Sequence, residues 1–334
     1  MSWNPFHPDI MEDPSSGHEY LLDQCPVHFF SSPEMRFYTL SRYDDVSSCL
    51  RDTTRFSSQY GQGPNFSEPA GMLCDPPQHT LYRKLIQPAF SPKAVEELRP
   101  KVISLTNELV DKILSGDRTF DLHDEIAFPL PVTIIAGMLG VPSSDLEKFK
   151  RWSDIQVEIM GSGDLDKYKE EQIEFQNYML KHLRGRKLEL AKEGREGKQD
   201  LLNLIASARN EQDEAIPESD ALSMLNQLLV GGNETTTSLI TNLFWRLLEK
   251  PSRWRTLLED RSLVRSAVEE SLRYDPPVLG LYRNSASDIE IHDETIPEGE
   301  KVYVYYAAAN RDPRVFNKPN EFDISRKARR HMSF

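Results

Sequence analysis

Apolar residues recur at helical spacing from Pro217 to Lys250. The pattern begins with three polar residues, Glu218 to Asp220, and stops at Pro251. Such spacing predicts one long, largely buried helix. Its centre is polar and rich in glycine, with the sequence Gly231-Gly232-Asn233-Glu234-Thr235-Thr236-Thr237. Two glycines and three threonines lower the helix propensity there by about 3 to 4 kcal/mol relative to alanines.

Two interpretations of this centre stay open. Glycine lets another body approach the backbone, and a threonine hydroxyl can bond a carbonyl one turn back and admit a small molecule or water. In that case Glu234 places an ionisable group beside the opening. Alternatively, the two glycines simply let a second helix pack closely at this point.

The chain before this helix alternates between short strands, a loop and helices. Runs at 27–30 and 36–40 are rich in β-forming residues and predict a hairpin, and Ser41 with Asp44 predicts the cap of a short helix that ends at Leu50. Gly, Ser, Pro and Asn dominate residues 57–77, which predicts a loop long enough to cover a binding site. Asp75 is the predicted cap of the next helix.

Helices follow almost without interruption up to Tyr274. A stripe of Val, Leu and Ile predicts a helix from Ser91 to Gly116, and a buried helix is expected at 120–141. Two charged helices lie between Asp145 and Lys198, separated by Gly161-Ser162-Gly163-Asp164, and they could form a movable surface cover. Further helices are predicted at 200–208, where the pattern is amphipathic, after Pro251, and at 262–274.

Strand patterns return only near the end, at 281–287, 289–292 and 302–306 around a Pro297-Glu298-Gly299 turn. Helices first and strands late indicate an α+β fold that is mainly α. We expect a single domain over residues 1–334, with parts at 1–56 (β-rich), 57–77 (lid loop), 78–274 (helical, including the central helix 217–250) and 275–334 (β-rich).

Composition excludes several classes of function. The 334 residues carry a net charge of -13, which argues against nucleic acid as a partner. The longest apolar run, 128–141, is too short to span a bilayer, and the first residues do not resemble a signal peptide. Cys25, Cys49 and Cys74 form no CxxC pair, as is typical of a reducing compartment. We therefore expect a soluble, cytoplasmic protein.

Two charged pairs carry alternative interpretations. His79 and Arg83 are four residues apart on one helix face, where they could hold one carboxylate or simply face solvent. Glu270 and Arg273 are three apart; exposed, the pair contributes about 0.2 to 0.5 kcal/mol, whereas removing either partner of a buried pair costs about 3 to 5 kcal/mol.

Taken in order, these motifs resemble the soluble bacterial cytochromes P-450 over essentially the whole chain. The resemblance is carried by His79 and Arg83, the Gly231–Thr236 centre, Glu270 and Arg273, Arg283, Ala309-Asn310-Arg311-Asp312-Pro313, Phe322-Asp323 with Arg326, and His331 with Phe334.

The resemblance implies a haem b cofactor and a role for each motif. His79, Arg83, Arg283 and His331 would hold the haem propionates, and Gly231 and Gly232 would line the dioxygen groove. Thr235 and Glu234 would deliver protons during O–O cleavage. Glu270, Arg273 and Arg326 would form a buried structural triad.

The resemblance also implies partners. Residues 57–77, the cover around Gly161, and Val278–Leu281 would surround a small, mostly apolar organic substrate. A basic patch would dock an acidic ferredoxin or flavoprotein electron donor; its members are Lys84, Lys327, Arg329 and Arg330.

In this family the residue that matches Phe334 begins the loop that presents the cysteine ligand of the iron. None of Cys25, Cys49 and Cys74 stands at the matching place, so no metal ligand is assigned in this sequence. We expect either a complete enzyme whose cysteine loop follows Phe334 or a truncated product that retains haem poorly.

The leading hypothesis is a haem-thiolate monooxygenase. One alternative is a non-catalytic helical binding protein, or a remnant that has lost its haem ligand. Another is haem bound through a histidine, for instance His331, for oxygen sensing or peroxide chemistry.

Overall fold

The computed structural model describes residues 3–116, 119–162, 166–193, 200–210, 212–328 and 330–333. The chain forms two compact units. The first combines the residues up to Glu68 with those from Ser238 onward, and the second is Pro69–Thr237. One boundary thus lies in the loop predicted at 57–77, and the other lies within the central helix.

A strand hairpin lies near the start of the first unit. Strands β1 (Val27–Ser31) and β2 (Arg36–Leu40) pair antiparallel, with Val27 opposite Leu40, which confirms the predicted hairpin. The elements of this segment are α1 (Pro8–Glu12), β1 (Val27–Ser31), β2 (Arg36–Leu40), α2 (Tyr43–Arg51) and β3 (Phe56–Ser57). The predicted cap of α2 is wrong, because the Ser41 hydroxyl donates to the carbonyl of Leu21 at 2.8 Å and the cap position is Arg42.

The second unit is helical. Its helices are α3 (Gln78–Ile86), α4 (Pro92–Leu114), α5 (Pro129–Leu139), α6 (Leu146–Ser162), α7 (Lys169–Glu193), α8 (Leu201–Ala206) and the start of α9 (Glu218–Glu249). Ser91 caps α4 by accepting from the amide of Ala94, as its position before Pro92 predicts. The N-cap position of α3 is Pro77, so the prediction that Asp75 occupies it is wrong. Gly163, Asp164 and Lys198 of the predicted cover lie outside the described residues.

Three helical predictions need correction. Residues 123–127 form a separate π-helical turn, so α5 is shorter than the helix predicted at 120–141. Helix α7 is not merely a surface helix, because Phe175, Met179 and Leu183 form a buried stripe at spacings of four. Helix α8 is not amphipathic: every residue except Leu204 is buried. These apolar residues join α5 and the first half of α9 in one core.

Helix α9 is unbroken from Glu218 to Glu249, close to the predicted 217–250. Its two central glycines have different surroundings. A Cβ atom on Gly232 would lie 2.7 Å from Cγ1 of Ile135 in α5, whereas one on Gly231 would meet no heavy atom within 4 Å. Gly232 therefore permits close helix packing, and Gly231 leaves an open face. The packing interpretation is confirmed for Gly232, whereas the approach of a small molecule at Gly231 stays a prediction.

The chain after α9 returns to the first unit. Its elements are α10 (Pro251–Glu259), α11 (Val264–Tyr274), β4 (Leu281–Ser285), β5 (Ile289–Ile291), β6 (Glu294–Ile296), β7 (Lys301–Val304) and α12 (Tyr306–Ala309). The main sheet has the order β1-β2-β7-β4-β3, with β2 and β7 parallel, and β5 pairs with β6. Strand β6 was not predicted, and the strand predicted up to Tyr306 ends at Val304.

The α+β prediction, mainly α, is confirmed by these elements. In the described parts of the chain, no helix is both long and apolar enough to cross a membrane.

Candidate active site

The exposed face of α9 at Gly231 is the first feature of the candidate site. Thr235 lies one turn further along the same face, and its hydroxyl donates to the Gly231 carbonyl at 2.8 Å. The Gly231 carbonyl thus accepts a hydrogen bond from a threonine side chain one helical turn later. The acceptor lone pairs of the Thr235 hydroxyl remain available to a molecule lying over Gly231.

Glu234 is held by a small polar network. The Asn233 amide donates to Oε1 of Glu234 at 2.8 Å and to Oγ of Ser153 in α6 at 3.2 Å. Burial raises the pKa of Glu234, the hydrogen bond from Ser153 opposes this rise, and the Asp154 carboxylate adds to it. A carboxyl group with a raised pKa can hold a proton closer to neutral pH and pass it on.

Sequence reasoning missed the partners of Glu234. Ser153 and Asp154 lie on α6, far away along the chain, and only Asn233 adjoins Glu234 in sequence. Asn233 and Ser153 are fully buried. A buried asparagine in the middle of an apolar helix was the only available signal.

His79 and Arg83 are on one face of α3. His79 is half-buried and Arg83 is exposed. Neither side chain has a hydrogen bond or ion pair with another described residue. The two donors are therefore available to an anionic group that contacts this face.

The two basic residues predicted in the first unit differ in availability. Arg283, in β4, is half-buried, and its guanidinium donates to the carbonyl of Tyr282 at 3.1 Å. His331 contacts Oε2 of Glu269 through Nε2 at 3.0 Å, with its side chain only 6% exposed. This imidazole is engaged by a carboxylate, which differs from the open donor that the resemblance implies.

Glu270 and Arg273 are both fully buried and form a bidentate pair. Arg273 donates to both carboxylate oxygens of Glu270 at 2.8 Å, and Arg326 donates to Oε1 at 3.1 Å. Arg273 also donates to the carbonyls of Asn310 and Pro319. Every charge in this cluster therefore has a partner. Because Arg273 and Arg326 join these partners, the cluster links α11 to the chain that follows α12.

The remaining predicted residues lie in separate places. Lys84 is exposed on α3, and Lys327 and Arg330 are also exposed, whereas Arg329 and Phe334 lie outside the described residues. By unit, the second contains His79, Arg83, Gly231, Gly232, Glu234 and Thr235, and the first contains Glu270, Arg273, Arg283, Arg326 and His331.

Cys49 and Cys74 are not ready metal ligands. Burial raises the pKa of Cys49 to about 12 and that of Cys74 to about 11, so both thiols stay protonated near neutral pH. Over the part of the chain that the structure describes, no group of three or more His, Cys, Asp or Glu side chains could hold a metal ion.

Comparison with known proteins places the chain in a family. The family model described as Cytochrome P450 matches residues 26–329. The chain belongs to the cytochrome P450 family. Cytochrome P450 107B1 of Saccharopolyspora erythraea is 36% identical over 315 residues, which cover 89% of this chain and 75% of the relative. The cytochrome P450 monooxygenase PikC of Streptomyces venezuelae is 33% identical over 336 residues, covering 98% and 78%.

A solved structure agrees with this assignment. Cytochrome P450 CYP109Q5 from Chondromyces apiculatus superimposes with a TM-score of 0.84 at 33% identity, over 98% of this chain and 82% of that one. The cytochrome P450 is therefore a haem-dependent oxidoreductase of the monooxygenase class.

The residues present fit this cofactor. Haem brings two carboxylates and a flat apolar ring. His79 and Arg83 are donors suited to a carboxylate, and the open space at Gly231 lets a flat group approach the α9 backbone without meeting a side chain at that position.

Proposed function

We propose that this cytochrome P450 inserts one atom of dioxygen into a small, mostly apolar organic molecule. The observation that carries the proposal is the open face at Gly231 of α9. The Thr235 hydroxyl lies one turn further along this face, and Glu234 is the residue just before Thr235. Haem, when bound, supplies the centre at which dioxygen is reduced and cleaved. The residues of the chain supply orientation and protons.

His79 and Arg83, both on α3, are the proposed partners of a haem propionate. An arginine can bind a carboxylate through two parallel N–H groups, and a histidine adds a third donor. We do not include His331 in this set, because its imidazole already contacts Glu269. That contact joins His331 to Glu269 in α11.

Glu234 and Thr235 are the proposed proton carriers. Because burial raises the pKa of Glu234, its protonated form persists to higher pH than that of an exposed glutamate. Asn233 donates to Oε1 and Ser153 hydrogen-bonds the same carboxyl, so the group is held in place for proton exchange. The Thr235 hydroxyl is oriented by its bond to the Gly231 carbonyl, and it can accept a hydrogen bond from a molecule on the exposed side of the helix.

We further propose that electrons come from an acidic ferredoxin or flavoprotein. Lys84, Lys327 and Arg330 are positive side chains that could meet an acidic partner. Attraction between opposite charges raises association rates and weakens as salt is added. A decline of the electron-transfer rate with ionic strength would support this part of the proposal.

The reduced carbon monoxide spectrum tests the proposed function. The chain is expressed together with the coding sequence downstream of the Phe334 codon, and the purified protein is reduced under carbon monoxide. We expect a Soret band of the thiolate-ligated type, since the proposal assigns the iron a cysteine ligand other than Cys25, Cys49 and Cys74. A protein that takes up no haem, or a band of the histidine-ligated type, would refute the proposal.

A further inference from the structure

Two side chains of α9 hold the backbone of residues 70–72. Asp220 lies in the first turn of the helix and Gln227 in the third. Asp220 accepts from the amide of Gly71 at 3.0 Å, and Gln227 accepts from the amide of Met72 at 2.9 Å. Gln227 also donates to the carbonyl of Ala70 at 3.0 Å. These side chains lie on one face of the helix because their spacing is close to two full turns. We call this set of contacts the loop clasp.

The contact at Gly71 brings two backbones together. Gly71 has a φ of +58°, and a Cβ atom there would lie 2.9 Å from the amide nitrogen of Met224. Any other residue would both clash with the helix and adopt a conformation that side chains disfavour. The loop therefore rests directly on α9.

The side-chain polar atoms of Asp220 and Gln227 are all hydrogen-bonded. The Gln227 amide nitrogen also donates to Oγ of Ser223 at 2.8 Å, and that hydroxyl donates to the Ala70 carbonyl at 3.2 Å. The second oxygen of Asp220 accepts from the hydroxyl of Tyr82 at 2.6 Å. A side-chain amide with both hydrogens and its oxygen bonded has one defined orientation.

The position of Gln227 gives the clasp its significance. Gln227 precedes Gly231 by four residues, so both lie on the same face of α9, about 6 Å apart along the axis. Gly231 leaves open space, and Gln227 closes that face one turn earlier by fixing the loop backbone. The clasped loop thus lies on the same helix face, before the open position, with Gly71 beside Met224.

We propose that Gln227 and Asp220 are positioning residues that fix residues 70–72 as a wall beside Gly231, and that this wall limits the size of the molecule admitted. The proposal rests on the proposed function, because that function places the reacting molecule at the exposed face of Gly231. A loop held by backbone hydrogen bonds keeps the wall in one place, as selection between substrates of different size requires.

The first measurement is amide hydrogen exchange at Gly71 and Met72. Gln227→Leu has nearly the same length but neither accepts from Met72 nor donates to Ala70. We expect exchange at Met72 to become at least tenfold faster in this variant. Gln227→Glu, which keeps the acceptor, should show a smaller increase and serves if the leucine variant does not fold. Gln176→Leu, the same substitution at an exposed position of α7, is the matched control and should leave exchange unchanged.

The second measurement compares two azole ligands in spectral titrations of the haem-loaded protein. Imidazole is small, and 4-phenylimidazole probes the space beside it. We expect Gln227→Leu to lower the dissociation constant of 4-phenylimidazole at least threefold relative to that of imidazole, and Gln176→Leu to change neither.

The outcomes separate the two hypotheses. The positioning role would be overturned if Gln227→Leu left amide exchange at Met72 unchanged. It would also be overturned if this substitution changed the dissociation constants of the two azoles by the same factor. Absence of any azole spectrum in the unsubstituted protein would instead overturn the proposed function, and the size-limiting role with it, while the exchange data would still report whether the clasp forms.

Discussion

Gly232 lies so close to Ile135 that an added Cβ atom would be 2.7 Å from Cγ1 and 2.8 Å from Cδ1 of that side chain. The preceding glycine, Gly231, has no such neighbour within 4 Å. Two adjacent glycines in α9 thus serve different purposes, one in packing and one in leaving space.

Alanine substitutions distinguish these purposes. Gly232→Ala should lower the free energy of unfolding by about 1 to 3 kcal/mol, since an extra methyl group overpacks the contact with Ile135. Gly231→Ala should raise it by up to about 1 kcal/mol, because alanine is the better helix former and meets nothing. Urea unfolding of both variants measures the difference. Equal stabilities would contradict the packing assigned to Gly232.

Removal of the Glu270 carboxylate should be among the most destabilising single changes. Glu270→Ala leaves Arg273 buried without its bidentate partner and should cost about 3 to 5 kcal/mol. Glu269→Ala is the neighbouring control; its carboxylate is 34% exposed and contacts His331, so we expect a loss of about 1 kcal/mol or less. Denaturant midpoints measure both. Similar losses at the two positions would argue against a special role for Glu270.

Stability should depend on pH through Glu234. Its pKa is raised by burial above the ordinary value of 4.5, so the folded chain binds this proton more tightly than the unfolded chain does. The stabilising effect of the protonated acid is present below the ordinary pKa and is lost as pH rises through the folded pKa. Glu234→Gln removes the titration.

We therefore expect Glu234→Gln to gain unfolding free energy relative to the unsubstituted protein as pH is raised from about 4.5 to about 8. Unfolding curves at several pH values measure this difference. A constant difference across the range would show that the Glu234 pKa is the same in the folded and unfolded chains.

Haem retention tests the donors on α3. Arg83→Ala should weaken haem binding about tenfold or more, because a hydrogen bond to a charged group contributes about 1.5 to 3 kcal/mol. The rate of haem loss to an excess of a haem acceptor protein reports the change. Lys84→Ala, at the adjacent exposed position, is the control: it should keep its haem and lose electron-transfer rate only at low salt. Equal haem loss in both variants would remove Arg83 from the proposed propionate set.

Local signals were sufficient for much of the helical framework. Ser91 before Pro92 predicts the start of α4 because capping is a short-range interaction, and the long period of apolar residues predicts α9 nearly to its ends. The hairpin of β1 and β2 follows similarly from two runs of β-forming residues on either side of a turn.

Tertiary contacts decided the cases that failed. Ser41 has cap chemistry, but its buried hydroxyl finds the Leu21 carbonyl instead. Helix α8 contains Asn203 and so looks amphipathic, yet it is enclosed on nearly all sides. Strand β6 is three residues long and contains Glu294 and Thr295, which leaves almost no pattern to detect.

The same limit applies to the candidate site. Spacing alone places Thr235 beside Gly231 and His79 beside Arg83, because these pairs are one helical turn apart. It does not reveal that Ser153 shares the Asn233 amide with Glu234, or that His331 is engaged by Glu269. Those contacts depend on how separate elements pack.

Oε1 of Glu270 also accepts from the amide of Asp323, 53 residues later in the chain, and from Arg326, 56 residues later. Contacts across such sequence distances require closure of a long loop and form after local structure. During synthesis, the ribosome therefore releases α11 well before its carboxylate can meet these partners. Attachment of this distant segment is expected to be one of the final steps by which the first unit reaches its native state.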